Sequence, residues 1–224
     1  MKKKMFTLWM TGLFLLLTTL GVAAQSQPIP GSSLSWEYIS GTKTLSITGT
    51  GDMPNFGPHD QPWKDVSYAP KVVIGDGVTS VGDNAFSVCV ELTDLTLPDG
   101  LKTIGANAFG GCWSLTNLTL PKSVTSIDLL AFSNCEALKE VTVFWDTPLT
   151  ISANAFAGIE LNKVKLYVPA GKKGAYQAAN VWKGFDVQEI PGGTLSTGLH
   201  WQYIPATKTL TITGTGNMPD FNVP

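Results

Sequence analysis

The stretch TDLTLPDGLKTIGANAFGGCWSL, residues 93–115, runs directly into TNLTLPKSVTSIDLLAFSNCEAL, residues 116–138. Laid one over the other, both begin with an alternating Leu-x-Leu strand and a proline turn. A second apolar pair follows (Leu101 and Ile104, Val124 and Ile127), then Ala-Phe, then Cys-x-x-Leu. The same grammar extends outward to residues 71–92 before the pair and 139–161 after it, and a further unit from Asn162 departs after its first strand. Phe86, Phe109, Phe132 and Phe156 keep step, each preceded by alanine and followed by Leu92, Leu115, Leu138 and Leu161. A fixed period in this range is the mark of a repeat architecture.

Each unit carries a strand such as Leu118 and Leu120, or Val141 and Val143, a turn, a short extended piece, and the Ala-Phe stretch, read as one turn of helix. No unit can bury its Leu, Ile and Phe alone. Stacking is therefore required, with strands about 4.8 Å apart forming a parallel sheet. The predicted fold is a mainly β repeat solenoid, its open ends needing covers. Residues 34–63, with Trp36, Tyr38, Leu45 and Ile47, read as an N-terminal β-hairpin cap. Residues 171–182, with Tyr176 and Trp182 on one face, read as a C-terminal helical cap.

The L-P-x-x-[VL]-x-x-I signature, the Ala-Phe pair and the following Cys-x-x-Leu resemble the BspA-type bacterial leucine-rich repeat, over residues 34–190. The flanks agree: W-x-Y followed by T-L-x-I-x-G-x-G-x-M at Trp36–Met53, and V-P-x-G-x-x-x-x-Y at Val168–Tyr176. The resemblance implies a bacterial surface protein, some relatives of which attach to host matrix proteins or to other microbes.

The ends of the chain read differently. Lys2, Lys3 and Lys4 precede the apolar run Leu13–Leu17 and the small-residue end Val22-Ala23-Ala24, the pattern of a secretory signal cleaved after Ala24. Near the other end, HWQYIPATKTLTITGTGNMPDF from His200 repeats SWEYISGTKTLSITGTGDMPNF from Ser35. The expected organisation is signal peptide 1–24, linker 25–33, capping hairpin 34–69, repeats with their terminal cap 70–190, linker 191–199, and the start of a second, truncated capping module 200–224. Export places the protein in the medium or on the cell surface, with no membrane insertion after cleavage.

Composition excludes several functions. The chain carries 15 basic against 17 acidic residues, every basic residue is lysine, and loss of the three signal lysines leaves a more acidic mature protein. Without arginine's planar fork and with a net charge that opposes a polyanion, nucleic acid is not the partner. The two histidines, His59 and His200, sit in no nucleophile, base or metal constellation, so the chain reads as a non-enzyme without cofactor or metal. Cys89, Cys112 and Cys135 occupy one repeat position. Buried thiols fit that spacing best; a disulfide between adjacent coils and a metal site, which usually shows a close C-x-x-C pair, are the alternatives. Asp76-Gly77, Asp83-Asn84 and Gly51-Asp52 read as turns before calcium ligands.

What remains is surface. Phe144 and Trp145 replace the Pro-Asp and Pro-Lys turns of earlier units, and Tyr167 lies beside Lys163 and Lys165. These five residues form the candidate binding patch. Aromatics with lysines suit protein or glycan partners on a host or neighbouring cell. The competing reading packs Phe144 and Trp145 beneath the terminal helix. At the level of function, a monomeric recognition or adhesion module leads, with a structural spacer in a longer surface protein as the alternative.

Overall fold

The computed structural model describes residues 26–194, 200–204 and 208–213. The expected signal at 1–24, residues 195–199 of the expected linker, and residues 214–224 of the second module lie outside these.

Successive repeats lie one upon the next, joined by three sets of backbone hydrogen bonds. In the first, Thr44–Gly49, Lys71–Ile74 and Asp94–Thr96 run parallel in one sheet. Asn117–Leu120, Glu140–Val143, Lys165–Val168 and Asp186–Glu189 run parallel in another. The ladder is interrupted between Asp94–Thr96 and Asn117–Leu120. Leu95 and Leu97 are only half-buried at this break, whereas Leu118 and Leu120 are fully enclosed. In the second set, the short extended pieces Gly51–Asp52, Val78–Val81, Thr103–Ile104 and Ser126–Ile127 make their own parallel sheet.

The third set runs through the Ala-Phe segments, which are turns rather than the expected helical turn. Each donates N–H groups forward to the next repeat: Phe86 to Ala108 (2.7 Å), Phe109 to Ala131 (2.8 Å) and Phe132 to Ala155 (2.8 Å). The first three of these turns hold two left-handed residues each and the fourth holds one. Two residues before the phenylalanine stand Asn84, Asn107 and Leu130; two after it stand Val88, Gly111, Asn134 and Gly158; all have positive φ. Asn and Gly enter that region readily, which is why the turn outcompetes a helix.

Val88 is the exception in its column. A β-branched residue at φ 59° is strained, and this one is also 45% exposed, so it gains little from burial. Val88→Gly is expected to raise stability by about 0.5–1 kcal/mol, the relief of left-handed strain exceeding glycine's added unfolded-state entropy. Thermal unfolding measures it; an unchanged or lower Tm would show that the turn bears no strain at this position.

The core is one continuous column. Phe86, Phe109, Phe132 and Phe156 stack with centroids 5.3–5.5 Å apart and nearly parallel planes. Trp63, 23 residues ahead of Phe86, extends the stack at 5.4 Å and donates its indole N–H to the Ala85 carbonyl. The second strand of the N-terminal hairpin is thus already the first coil: Leu34–Ile39 pairs antiparallel with Thr44–Gly49, which pairs parallel with Lys71–Ile74. At the other end the helix is shorter than expected, Lys173–Ala178. Ala179 is extended, and Val181 closes a tight turn at φ 66°, ψ −57°, in which Trp182 N–H meets the Asn180 carbonyl at 2.8 Å. Tyr176 and Trp182 are nevertheless fully buried.

All three cysteines are buried free thiols. The Sγ of Cys112 donates to the Phe86 carbonyl and that of Cys135 to the Phe109 carbonyl, both at 3.3 Å, giving each carbonyl a second donor beside the backbone N–H of Cys89 or Cys112. Burial pushes the Cys89 thiol up to about 12 from its ordinary value near 9. Contact with Cys135, then burial, raises Cys112. A thiol pKa raised on folding contributes stability that is complete below about pH 9 and is lost as pH climbs towards 12. At pH 8 the native protein is expected to resist iodoacetamide at all three positions, while the denatured chain labels fully. Rapid labelling of the native state would contradict the burial.

Residues beyond the repeats form a smaller antiparallel sheet of Gly192–Thr194, His200–Ile204 and Thr209–Thr213, so part of the expected linker is a strand. Trp201 faces Ile212 and Tyr203 faces Leu210, as Trp36 faces Ile47 and Tyr38 faces Leu45. Leu45 and Ile47 are buried, whereas Leu210 and Ile212 are exposed. No helix among the described residues is long and apolar enough to cross a membrane.

Candidate recognition surface

Strand alternation decides which expected patch residues face outward. On Glu140–Val143, Val141 and Val143 enter the core and Glu140 and Thr142 point away; continuing the alternation sends Phe144 out and Trp145 in. On the neighbouring strand Lys165 and Tyr167 point outward, registered against Glu140 and Thr142. Lys163 ends the 3-10 turn Leu161–Lys163 and lines the same hollow as Lys165.

Phe144, Lys165 and Tyr167 therefore share one face, and Trp145 does not. Its indole N–H donates to the carbonyls of Lys122 (3.1 Å) and Val124 (3.0 Å), and its ring packs 5.9 Å from Trp182. Tyr176 Oη donates to the Trp145 carbonyl at 2.8 Å. The exposure expected of Trp145 is corrected by this packing, which satisfies a polar edge and seats the terminal segment. Phe144 is half-buried outside the core cluster.

Tyr167 is 9% exposed yet also stands apart from the core cluster. Its phenol is raised above its usual range by burial, then by the carboxylates of Glu140 and Asp186, its diagonal neighbours on the outward face. Beside it Thr142 is fully enclosed, and among the described residues no partner meets its hydroxyl. A buried threonine on the outward side of a sheet requires a roof, and Phe144 and Tyr167 are the large side chains adjacent to it there.

Where these strands begin, the surface is hollowed. From phenylalanine to the following leucine is six residues in the third unit (Phe132 to Leu138) but five in the fourth (Phe156 to Leu161). Two hollows open on this flank. One, of about 520 Å³, is lined by residues 136–140 with Lys163 and Lys165. The other, of about 380 Å³, is lined by Glu136, Leu138, Gly158, Ile159, Glu160, Lys163 and Val164. Lys163 stands between them, paired with Glu160 at 2.7 Å. Trp113 is 54% exposed, and its carbonyl accepts from Ala137 N–H (3.1 Å) at the edge of the larger hollow.

Candidate metal positions resolve into turns: Asp83 Oδ1 accepts from Ala106 N–H at 2.7 Å, and Asn84 Nδ2 donates to the Phe56 carbonyl at 2.8 Å. Among the described residues no group of three His, Cys, Asp or Glu side chains is placed to hold a metal ion.

Parallel stacking, the aromatic column and the repeat spacing define a leucine-rich-repeat protein, largely of strands with little helix. Residues 64–173 match the BspA type leucine rich repeat region in six copies, and through that region the chain belongs to the BspA-type family. A comparison with curated proteins gives no match. Among solved structures the chain is similar to a leucine-rich repeat protein from Eubacterium ventriosum ATCC 27560, at 17% identity and TM-score 0.48, over 84% of this chain and 52% of that one. It is also similar to the pneumococcal vaccine antigen PcpA, at 20% identity and TM-score 0.49, over 66% and 42%. A leucine rich cell surface protein from Faecalibacterium prausnitzii A2-165 shows 20% identity and TM-score 0.35, over 85% and 61%. The chain spans about half the length of the first two.

Proposed function

We propose that the protein is an exported, non-enzymatic recognition module, secreted or held at the cell surface, that binds protein or glycan partners on a host or neighbouring cell. In this reading the repeats form a monomeric solenoid, closed by the antiparallel hairpin at one end and the helix-bearing segment at the other. The signal-like pattern of residues 1–24 and membership of the BspA-type family support export and a surface role.

One observation carries the reading: Phe144 and Tyr167 break the repeat pattern on the outward face of the last strands, and Lys163 and Lys165 line a hollow of about 520 Å³ where those strands begin. Concave ground with a few convergent polar groups is where binding concentrates. The experiment is a screen of residues 25–224 against immobilised matrix proteins, whole cells and a glycan array, beside a variant carrying Phe144→Ala, Lys163→Ala, Lys165→Ala and Tyr167→Ala. Trp145 stays unchanged, because its loss would disturb the core. Saturable binding abolished in the folded variant supports the reading; binding unaffected by it rejects the site.

A second reading, a spacer in a longer surface protein, has its own observation. The strands His200–Ile204 and Thr209–Thr213 pair as Leu34–Ile39 and Thr44–Gly49 do, with Leu210 and Ile212 exposed where Leu45 and Ile47 are buried. A spacer would pass the screen without binding.

A further inference from the structure

Four residues past the phenylalanine, the repeats carry Val90, Trp113, Glu136 and Glu160. Only Trp113 is aromatic in that column. Its ring is half open to solvent and has no aromatic neighbour among the described residues, so it contributes little to the fold. Buried tryptophan stabilises; an exposed one leaves a broad apolar face wet, the arrangement expected of a platform for a partner.

The hollow lined in part by Ala137, whose N–H donates to the Trp113 carbonyl at 3.1 Å, has matching chemistry. Leu138 forms an apolar floor, Glu136 and Glu140 bring carboxylates, and Lys139 and Lys165 bring exposed ammonium groups. Lys163 is committed to Glu160 at 2.7 Å. The remaining charges balance, two carboxylates against two ammonium groups, so an ionised ligand gains little net attraction from either sign. A neutral ligand rich in hydroxyls uses both, donating to the carboxylates and accepting from the lysines. Such a ligand that also offers a flat C–H face to an indole is a sugar ring. The volume, about 520 Å³, lies within the ordinary range of small-ligand sites.

We propose that Trp113 and the adjoining hollow form a binding site for a neutral oligosaccharide. One sugar ring stacks on the indole, and the next places its hydroxyls against Glu136, Glu140, Lys139 and Lys165. This deepens the recognition reading above and rests on it.

The test is isothermal titration of residues 25–224 with neutral α- and β-linked hexose pentasaccharides, and with sialyllactose and a heparin-derived oligosaccharide as anionic comparators. Saturable binding of at least one neutral sugar is expected. Trp113→Ala should weaken it about five- to tenfold and Trp113→Phe by less, because stacking contributes on the order of 1–1.5 kcal/mol and tenfold corresponds to about 1.4. Tyr68→Ala, at another exposed aromatic, should change nothing, and an unchanged Tm shows that each variant is folded. Silence towards every neutral sugar, preference for the anionic ones, or full binding by Trp113→Ala overturns the proposal. If the screen yields a protein partner lost in the four-residue variant while no sugar binds, the glycan inference fails and the recognition reading stands.

Discussion

Phe109→Ala is expected to destabilise the protein by about 3–5 kcal/mol, a large part of the stability of a domain this size. Phe109 is fully enclosed, with Phe86 at 5.3 Å on one side and Phe132 at 5.5 Å on the other, both rings nearly parallel to it. Its backbone cannot close the void, because its N–H is held by Ala131 and its carbonyl accepts from Cys135 Sγ. The stack lies next to the interrupted ladder between Asp94–Thr96 and Asn117–Leu120, so coupling between the two halves depends on the column there more than elsewhere. Urea unfolding should show a lower midpoint, and cooperativity should split because each repeat contacts only its neighbours. A loss below about 1 kcal/mol would mean that the column is not the core.

Trp182→Ala should cost a similar amount, about 3–5 kcal/mol, with a different distribution. Trp182 is fully buried against Trp145, Phe156, Tyr176 and Phe185, with centroids 5.9–6.1 Å away, and its indole N–H donates to the Leu149 carbonyl at 2.7 Å. Truncation empties the space beneath the terminal helix and strips that carbonyl of its partner, a further penalty for a buried polar group. In a stack with nearest-neighbour coupling the damage stays local. Hydrogen exchange should show the amides of Asp186 and Ile190, bonded to Val164 and Val168, losing protection first, while Phe86 and Phe109 keep theirs. Uniform loss of protection along the chain would contradict nearest-neighbour coupling.

The repeat was legible because period and burial coincide: residues that recur every 23 positions are those that stack. Trp63 was legible in the same way, standing one period before Phe86, but it differs in residue type and was read with the hairpin. The Ala-Phe turns were misread as helical, although Asn at 84, 107 and 134 and Gly at 111 and 158 are the residues that left-handed backbone selects. Trp145 was misplaced because composition suggests an aromatic patch while alternation alone separates its two members. The hollow was not legible, because its lining comes from two coils, residues 136–140 with Lys163 and Lys165, and depends on how those coils lie.

If the last repeats are where this protein meets its partner, the hydrogen-exchange footprint of residues 25–224, taken with and without whichever panel member binds, will show it. New protection is expected within residues 136–144 and 160–168 and none across Lys71–Ile74 and Asp94–Thr96. Protection on those early strands instead, or saturable binding that leaves residues 136–168 unchanged, would contradict it.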